Sequence, residues 1–212
     1  MLPNSTTSLF AIVCTNGRHE VTVLLKRTFD YCVSAFLLIV LAPLFAIIAI
    51  AIKLDSEGPV FFVQERLGKD GKVFRLYKFR TMIHGSEKSG SGLHTYADDP
   101  RITRVGKILR RTSLDELPQL INVLKGEMSI IGPRPPVPYH PKPYECYTEE
   151  ERLRFSVLPG ITGYAQVMGR NELTWDERIA LDVEYVRNFS IWLDAKLILM
   201  TIATILSGTG VY

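Results

Sequence analysis

The feature that most constrains this chain is a long apolar run, residues 31–52, that contains no charged side chain. Asp30 precedes the run and Lys53 follows it. A helix that rises about 1.5 Å per residue would carry this run across roughly 30 Å of hydrocarbon. A buried core helix of a soluble protein is the alternative, but the absence of charge along the whole run favours a membrane segment.

Pro43 follows Ala42 in the middle of this run. A mid-helix proline removes one backbone hydrogen bond and clashes with the preceding turn, which costs about 3 kcal/mol in a straight helix. We therefore expect a kink at this pair. Positive charges lie at both ends, Lys26 and Arg27 before the run and Lys53 after it, so they favour neither direction across the bilayer. This symmetry favours a helix that re-enters the face it came from, and a bent spanning helix stays open.

The composition limits the classes of function that need to be considered. Hydrophobic residues make up 47% and charged residues 22% of the 212 residues, which suits one compact folded domain. The net charge of +3 is too small to indicate nucleic-acid binding, and no block of Lys and Arg is present. A mild basic excess does suit a surface that meets anionic lipid headgroups and phosphorylated substrates.

Beyond residue 58 the pattern predicts a mixture of strands and helices, and so an α+β fold. Residues 60–63 and 73–79 are typical strands, and the Asp-Gly signal between them predicts a hairpin. Helical patterns follow at 103–111, 117–125, 149–155, 174–188 and 191–206. The last of these is apolar but short for a membrane span, so it suits a helix that lies in the membrane interface.

The best candidate for chemistry is the hexapeptide Ser-Leu-Asp-Glu-Leu-Pro, which ends at Pro118. Ser113 and Glu116 match a capping box, which would start the helix just after Ser113. Pro118 instead predicts a helix that starts near Leu117, because proline prefers the first position of a helix. Either interpretation places Asp115 and Glu116 at a helix N-terminus, where the helix dipole favours the ionised form. An ionised aspartate there can bind Mg²⁺ or attack phosphorus, and plain helix capping is the alternative.

Three arginines accompany this hexapeptide. Arg110 and Arg111 precede it, and Arg134 lies in the Pro-rich segment 132–138 that follows the next predicted helix. Arginine suits bidentate contact with phosphate oxygens. A diphosphate substrate needs its charge neutralised before an anionic nucleophile can approach, and arginines with a divalent cation would do this. Each arginine taken alone is equally typical of a solvated surface.

Several motifs in series resemble the bacterial sugar transferases called monotopic phosphoglycosyl transferases, and the resemblance extends over residues 24–210. The motifs are Tyr-Lys-Phe-Arg-Thr-Met (77–82), Arg-Arg-Thr-Ser-Leu-Asp-Glu-Leu-Pro-Gln-Leu (110–120), Asn-Val-Leu-Lys-Gly-Glu-Met-Ser (122–129), Gly-Pro-Arg-Pro (132–135), Pro-Gly-Ile-Thr-Gly-Tyr-Ala-Gln-Val (159–167) and Gly-Arg-Asn (169–171).

Residues 1–23 have no strong period, so we expect them to form a loosely structured leader. The resemblance implies a membrane-associated protein with a re-entrant membrane helix (24–54) and a small catalytic domain (55–212). The catalytic domain would include interfacial amphipathic helices and lie on the cytoplasmic face of the bacterial inner membrane. The sequence departs from the family pattern at the kink, where Ala42-Pro43 replaces Ser-Pro. It lacks the large membrane region of longer relatives, so we expect the minimal form.

The resemblance also implies a double-displacement reaction. Asp115 would attack the sugar-linked phosphorus of a UDP-sugar and release UMP, and a polyprenyl phosphate, expected to be undecaprenyl phosphate, would then take the phosphosugar. Mg²⁺ would assist, with Asp115 and Glu116 as its ligands, and Glu116 would help position either the metal or the acceptor. The residues implied to contact substrate phosphate are Lys78, Arg110, Arg134 and Arg170.

Three alternatives remain at this stage. Asp115 could act as a base that activates the lipid phosphate, without a covalent intermediate. A catalytically inactive membrane scaffold would keep the fold, but such a protein should have lost Asp115, Glu116 or the arginines, and all are present. Basic residues interleaved with aromatics in segment 66–80 suggest a nucleic-acid module, yet this pattern is equally typical of a strand with one solvated face. Self-association into a homo-oligomer stays open.

Overall fold

The computed structural model of the protein describes residues 5–86, 96, 99–169 and 173–207, with side chains described only between residues 20 and 204. The helices are α1 (Ser5–Val40), α2 (Ala42–Asp55), α3 (Arg104–Arg111), α4 (Gln119–Leu124), α5 (Glu149–Arg152), α6 (Tyr164–Met168), α7 (Trp175–Arg187) and α8 (Ile191–Ser207). The strands are β1 (Phe61–Leu67), β2 (Val73–Phe79), β3 (Ser129–Ile131) and β4 (Gly160–Thr162). The predicted α+β class is confirmed.

Helices α1 and α2 meet at Leu41, and the Glu20–Val40 part of α1 lies at 61° to α2. Pro43 lies in the first turn of α2, where its missing N–H is tolerated. Within the described residues no single helix is both long and apolar enough to cross a membrane, although this bent pair together is.

Helix α1 begins at Ser5, so no break in the helix separates a loose leader from the segment that starts at residue 24. The polar residues near the N-terminus differ from good helix formers by less than about 1 kcal/mol each. Once a helix has been nucleated, each added residue gains a hydrogen bond, so such residues do not stop it.

The predicted hairpin is confirmed. Strands β1 and β2 pair antiparallel from Phe61 opposite Phe79 to Leu67 opposite Val73. The turn places Asp70 at φ 56°, a left-handed conformation that aspartate tolerates better than most residues. β2 is the strand that carries Lys78.

The predicted helices are confirmed with small changes at their ends. Thr103 caps α3 by accepting a hydrogen bond from the Gly106 backbone N–H. Thr174 and Glu177 form a full capping box at the start of α7. The parallel pair β3–β4 and the short helix α6 were missed, because segments of three to five residues show no readable period.

Both ends of the bent helix pair are tied to the rest of the fold. On α1, the Asp30 carboxylate accepts hydrogen bonds from Ser129 Oγ (2.7 Å) and Ile130 N (3.3 Å) at β3. After α2, Arg80 donates to the backbone carbonyls of Ser56 (2.7 Å) and Glu57. The residues at the two ends of the apolar run therefore form hydrogen bonds with the same folded domain.

Candidate active site

The acidic pair lies in a short turn and not in a capped helix. Leu114–Glu116 form one turn of 3-10 helix, and α4 begins only at Gln119. The capping-box interpretation is wrong: Ser113 has φ 57°, whereas a capping residue needs an extended backbone, and its side chain makes no cap hydrogen bond. The Glu116 side chain is thereby free for other partners.

Glu116 is held by two cations from distant parts of the chain. Lys78 Nζ lies 2.5 Å from Glu116 Oε1, and Arg134 Nη1 lies 3.4 Å from the same oxygen. Burial opposes ionisation of Glu116, but the charges of Lys78 and Arg134 outweigh it and lower the pKa of Glu116 to about 2. Glu116 is therefore a permanent anion at neutral pH.

Asp115 is in a different environment although it is the next residue. It is only 8% exposed, and its nearest ion-pair partner is Lys78 Nζ at 4.0 Å. No hydrogen bond to its carboxylate forms within the described part of the chain. Burial raises the pKa of Asp115, although Lys78 pulls in the opposite direction. The expectation that a helix dipole favours its ionised form is wrong, because α4 is short and starts four residues later.

A carboxylate in this position is poorly solvated. It lacks the hydrogen bonds that would stabilise its charge, so its lone pairs are available to a reacting atom or a cation. The unequal environments of Asp115 and Glu116 push their pKa values apart, which is the pattern of a pair of carboxylates with different roles.

Three of the four predicted phosphate-binding residues, Lys78, Arg110 and Arg134, lie around this pair. Arg110 Nε donates to Thr81 Oγ1 (2.9 Å), and its charge acts on Asp115. Arg110 is half-buried, and this burial lowers the pKa of its guanidinium. Lys78 and Arg134 contact Glu116 directly. Arg170 lies outside the described residues.

Sequence reasoning missed the buried ion pair that holds Arg134. Arg154 Nη2 donates to the backbone carbonyl of Arg134 (2.9 Å) and to Asp182 Oδ2 (2.5 Å). Both side chains of the Arg154–Asp182 pair are 1% exposed. The signal was present in α7, where Asp182 falls on the same helical face as the buried Ile179 and Val183.

Asn122 fixes the distance between α4 and the strand that carries Lys78. Its Oδ1 accepts a hydrogen bond from Tyr77 N (3.1 Å), and its Nδ2 donates to Arg75 O and Glu127 Oε2 (both 2.7 Å). The side chain is fully buried. One amide group therefore aligns β2 with the turn that presents the acidic pair.

Glycines allow the segment that carries Arg134 to pack closely on β4. A Cβ atom placed at Gly160 would lie 2.1 Å from the backbone nitrogen of Gly132. Only glycine permits this approach of two backbones. This contact explains why Gly-Pro-Arg-Pro and Pro-Gly-Ile-Thr-Gly, far apart in sequence, belong to one site.

The acidic pair suits a Mg²⁺ ion that takes its remaining ligands from substrate and water. The described residues contain no group of three or more His, Cys, Asp or Glu side chains that could hold a metal ion. Mg²⁺ in phosphoryl-transfer sites, however, is often held by one or two carboxylates, with phosphate oxygens and water completing its shell. Both cation contacts of Glu116 go to Oε1, so Oε2 and the Asp115 carboxylate remain as ligands.

Residues 21–208 match the family described as bacterial sugar transferase. An undecaprenyl-phosphate glucose phosphotransferase of Komagataeibacter xylinus is 48% identical over 191 residues, 86% of this chain and 36% of that protein. The UDP-glucose:undecaprenyl-phosphate glucose-1-phosphate transferase of Escherichia coli is 45% identical over 84% of this chain and 39% of its own length.

A shorter relative matches over most of its length. The uncharacterized sugar transferase EpsL of Bacillus subtilis is 43% identical over 190 residues, 89% of this chain and 91% of the relative. By contrast, this chain spans less than two fifths of the two longer relatives. The chain belongs to the bacterial sugar transferase family.

Proposed function

We propose that this protein transfers a phosphosugar from a UDP-sugar to a polyprenyl phosphate, with Asp115 as the nucleophile. The observation that carries the proposal is the buried Asp115 carboxylate, to which no described residue donates a hydrogen bond, next to a Glu116 that two cations keep ionised. Several relatives are named for transfer to undecaprenyl phosphate, which supports that lipid as the acceptor.

In the first step, an Asp115 carboxylate oxygen attacks the sugar-linked phosphorus of the donor. The new oxygen–phosphorus bond replaces the bond to the bridging oxygen, and UMP leaves with that oxygen. Arg110, Arg134 and Lys78 offset the negative charge on the phosphates, which lets an anionic nucleophile approach. The weak solvation of Asp115 favours attack, because few hydrogen bonds have to be broken first.

In the second step, a phosphate oxygen of the lipid attacks the phosphorus of the aspartyl-phosphosugar. The Asp115–phosphorus bond breaks, the carboxylate is regenerated, and polyprenyl-diphosphate-sugar is released. Asp115 and Glu116 would hold Mg²⁺, which neutralises phosphate charge when bound. Because the acceptor is already a phosphate anion, this chain needs no general base to activate it.

The first test is release of UMP from the full chain with Mg²⁺, undecaprenyl phosphate and a panel of UDP-sugars. UDP-glucose and UDP-N-acetylgalactosamine come first, because relatives carry these sugars in their names. At least one donor should give acceptor-dependent UMP and a lipid-linked product. No turnover with any donor would support the inactive scaffold instead.

We also propose that α1 and α2 form a re-entrant membrane helix on the cytoplasmic face. Asp30 at one end of the apolar run and Ser56 beyond the other end both bind the same domain. A straight span would place these ends roughly 30 Å apart on opposite faces. Helix α8 exposes Trp192 (86%) and Leu199 (68%), which supports an interfacial position for it.

Topology is tested with single cysteines placed at Val21 and Leu54, in a background without the native cysteines. Both positions are exposed, 57% and 84% respectively. A membrane-impermeant maleimide should label both from the cytoplasmic side, in inverted vesicles and not in intact cells. Labelling of the two positions from opposite sides would make residues 31–52 a true span.

A further inference from the structure

We propose that Arg66 is a further binding residue for the donor diphosphate, beside Lys78 and Arg134. The inference rests on the proposed function, because it names a contact to the same substrate. Arg66 lies near the end of β1 and lines a pocket together with Lys78, Glu116 and Arg134.

Hydrogen bonds hold the Arg66 guanidinium in this pocket. Its Nη1 donates to the Pro135 carbonyl (3.0 Å), and its Nη2 donates to Gln64 Oε1 (2.6 Å). A guanidinium has five N–H donors, so these bonds leave capacity unused. Its Nε is buried and has no hydrogen-bond partner among the described residues. The Arg66 guanidinium is therefore held in place before substrate binds, and it still has N–H donors without a partner among the described residues.

The charges in the pocket do not balance. Three cations, Arg66, Lys78 and Arg134, line this pocket with one carboxylate, Glu116. Counting Asp115, which lies 4.0 Å from Lys78, still leaves one positive charge in excess. Burial and the neighbouring charge of Arg134 lower the pKa of Arg66 to about 10, although Glu116 pulls in the opposite direction. An added anion would offset the repulsion between the two arginines, and its charge would compensate for the hydration that Arg66 has lost on burial.

A diphosphate meets this requirement better than a single carboxylate does. It carries several negative oxygens on two phosphorus atoms, so two guanidinium groups and a lysine can each bind a different oxygen. Arg134 and Arg66 are also linked through the backbone, because Arg66 binds the carbonyl of the residue that follows Arg134. One short segment thus places both arginines at the same pocket.

The competing explanation is that Arg66 only supports the Pro-rich segment through Pro135. Diphosphate binding is therefore measured together with thermal unfolding, because loss of support for the Pro-rich segment would also lower the unfolding temperature. Titration calorimetry of the full chain in nanodiscs, with inorganic diphosphate and Mg²⁺ as the probe, should show at least tenfold weaker binding for Arg66→Gln. Arg75→Gln is the matched control, because Arg75 is exposed on the neighbouring strand and lies opposite Glu65.

The control variant should bind diphosphate as the wild type does, and Arg66→Gln should keep its unfolding temperature within a few degrees. A folded Arg66→Gln protein with wild-type affinity would overturn the proposal. If Arg66→Gln does not fold, Arg66→Lys decides. Lysine keeps the charge but not the bidentate fork, so a threefold to tenfold loss of affinity supports the proposal and wild-type affinity overturns it.

Diphosphate binding is measured without donor or acceptor. A wild-type protein that releases UMP, with unchanged diphosphate affinity in the Arg66 variants, would refute the role of Arg66 and leave the transferase proposal intact. Loss of diphosphate affinity in a protein that never releases UMP would refute the transferase and leave Arg66 as an anion-binding residue.

Discussion

Asp115→Asn should lower the rate of UMP release by at least about 10⁴-fold, because an amide cannot form the covalent bond to phosphorus. The change is nearly isosteric. Since burial raises the pKa of Asp115, the folded protein gains little from its charge, and we expect no loss in the free energy of unfolding. The measurement is initial-rate UMP release at saturating donor and acceptor, with thermal unfolding in parallel.

The control is Asp176→Asn, which changes an exposed aspartate in α7 and should leave the rate unchanged. Intact-protein mass spectrometry distinguishes Asp115 as the nucleophile from Asp115 as a base that activates the lipid phosphate. Wild-type protein incubated with UDP-sugar alone should gain the mass of one phosphosugar on Asp115, whereas direct transfer leaves no adduct. Near-normal turnover by Asp115→Asn would remove Asp115 from the role of nucleophile.

Asp182→Asn should lower the free energy of unfolding by about 3–5 kcal/mol, the typical cost of removing one partner of a buried ion pair. Arg154 would be left almost fully buried with a charge that no carboxylate offsets. Because Arg154 also binds the Arg134 carbonyl, we expect the remaining folded protein to lose phosphate affinity as well. Chemical denaturation monitored by circular dichroism gives the first quantity, and the Michaelis constant for the donor gives the second.

Glu150→Gln is the matched control for this loss. Glu150 pairs with Arg187 at 2.6 Å, but both side chains are more than half exposed. An exposed pair contributes only about 0–1 kcal/mol, so the two variants should differ clearly. Equal effects of the two substitutions would show that the buried pair does not anchor the segment that carries Arg134.

Elements with a local signal were predictable. The hairpin has its own turn at residues 68–71, and α7 has both a capping box and a sustained helical period. The role of the Ser113–Glu116 spacing was not predictable in this way. The same four residues suit a capping box, and only the left-handed backbone at Ser113 excludes it. Local propensities of this size, about 1 kcal/mol, are easily overridden by packing.

The composition of the candidate site was visible in the sequence, but its electrostatics were not. Motif order placed Asp115 and Glu116 together with arginines, whereas the pairing of Lys78 with Glu116 joins two elements that are distant in the chain. The pKa of a carboxylate depends on burial and on charges within a few ångströms. For that reason the opposite shifts of Asp115 and Glu116 appear only once the chain is folded.

The sequence by itself determined the apolar run, the proline in it, the main helices and the acidic pair, because each depends on neighbours a few residues away. Only the tertiary structure decided that both ends of the apolar run bind one domain, that Arg154 and Asp182 support Arg134, and that Arg66 faces the same pocket. These contacts join residues that are distant in the chain, and no local period or motif spacing encodes such distances.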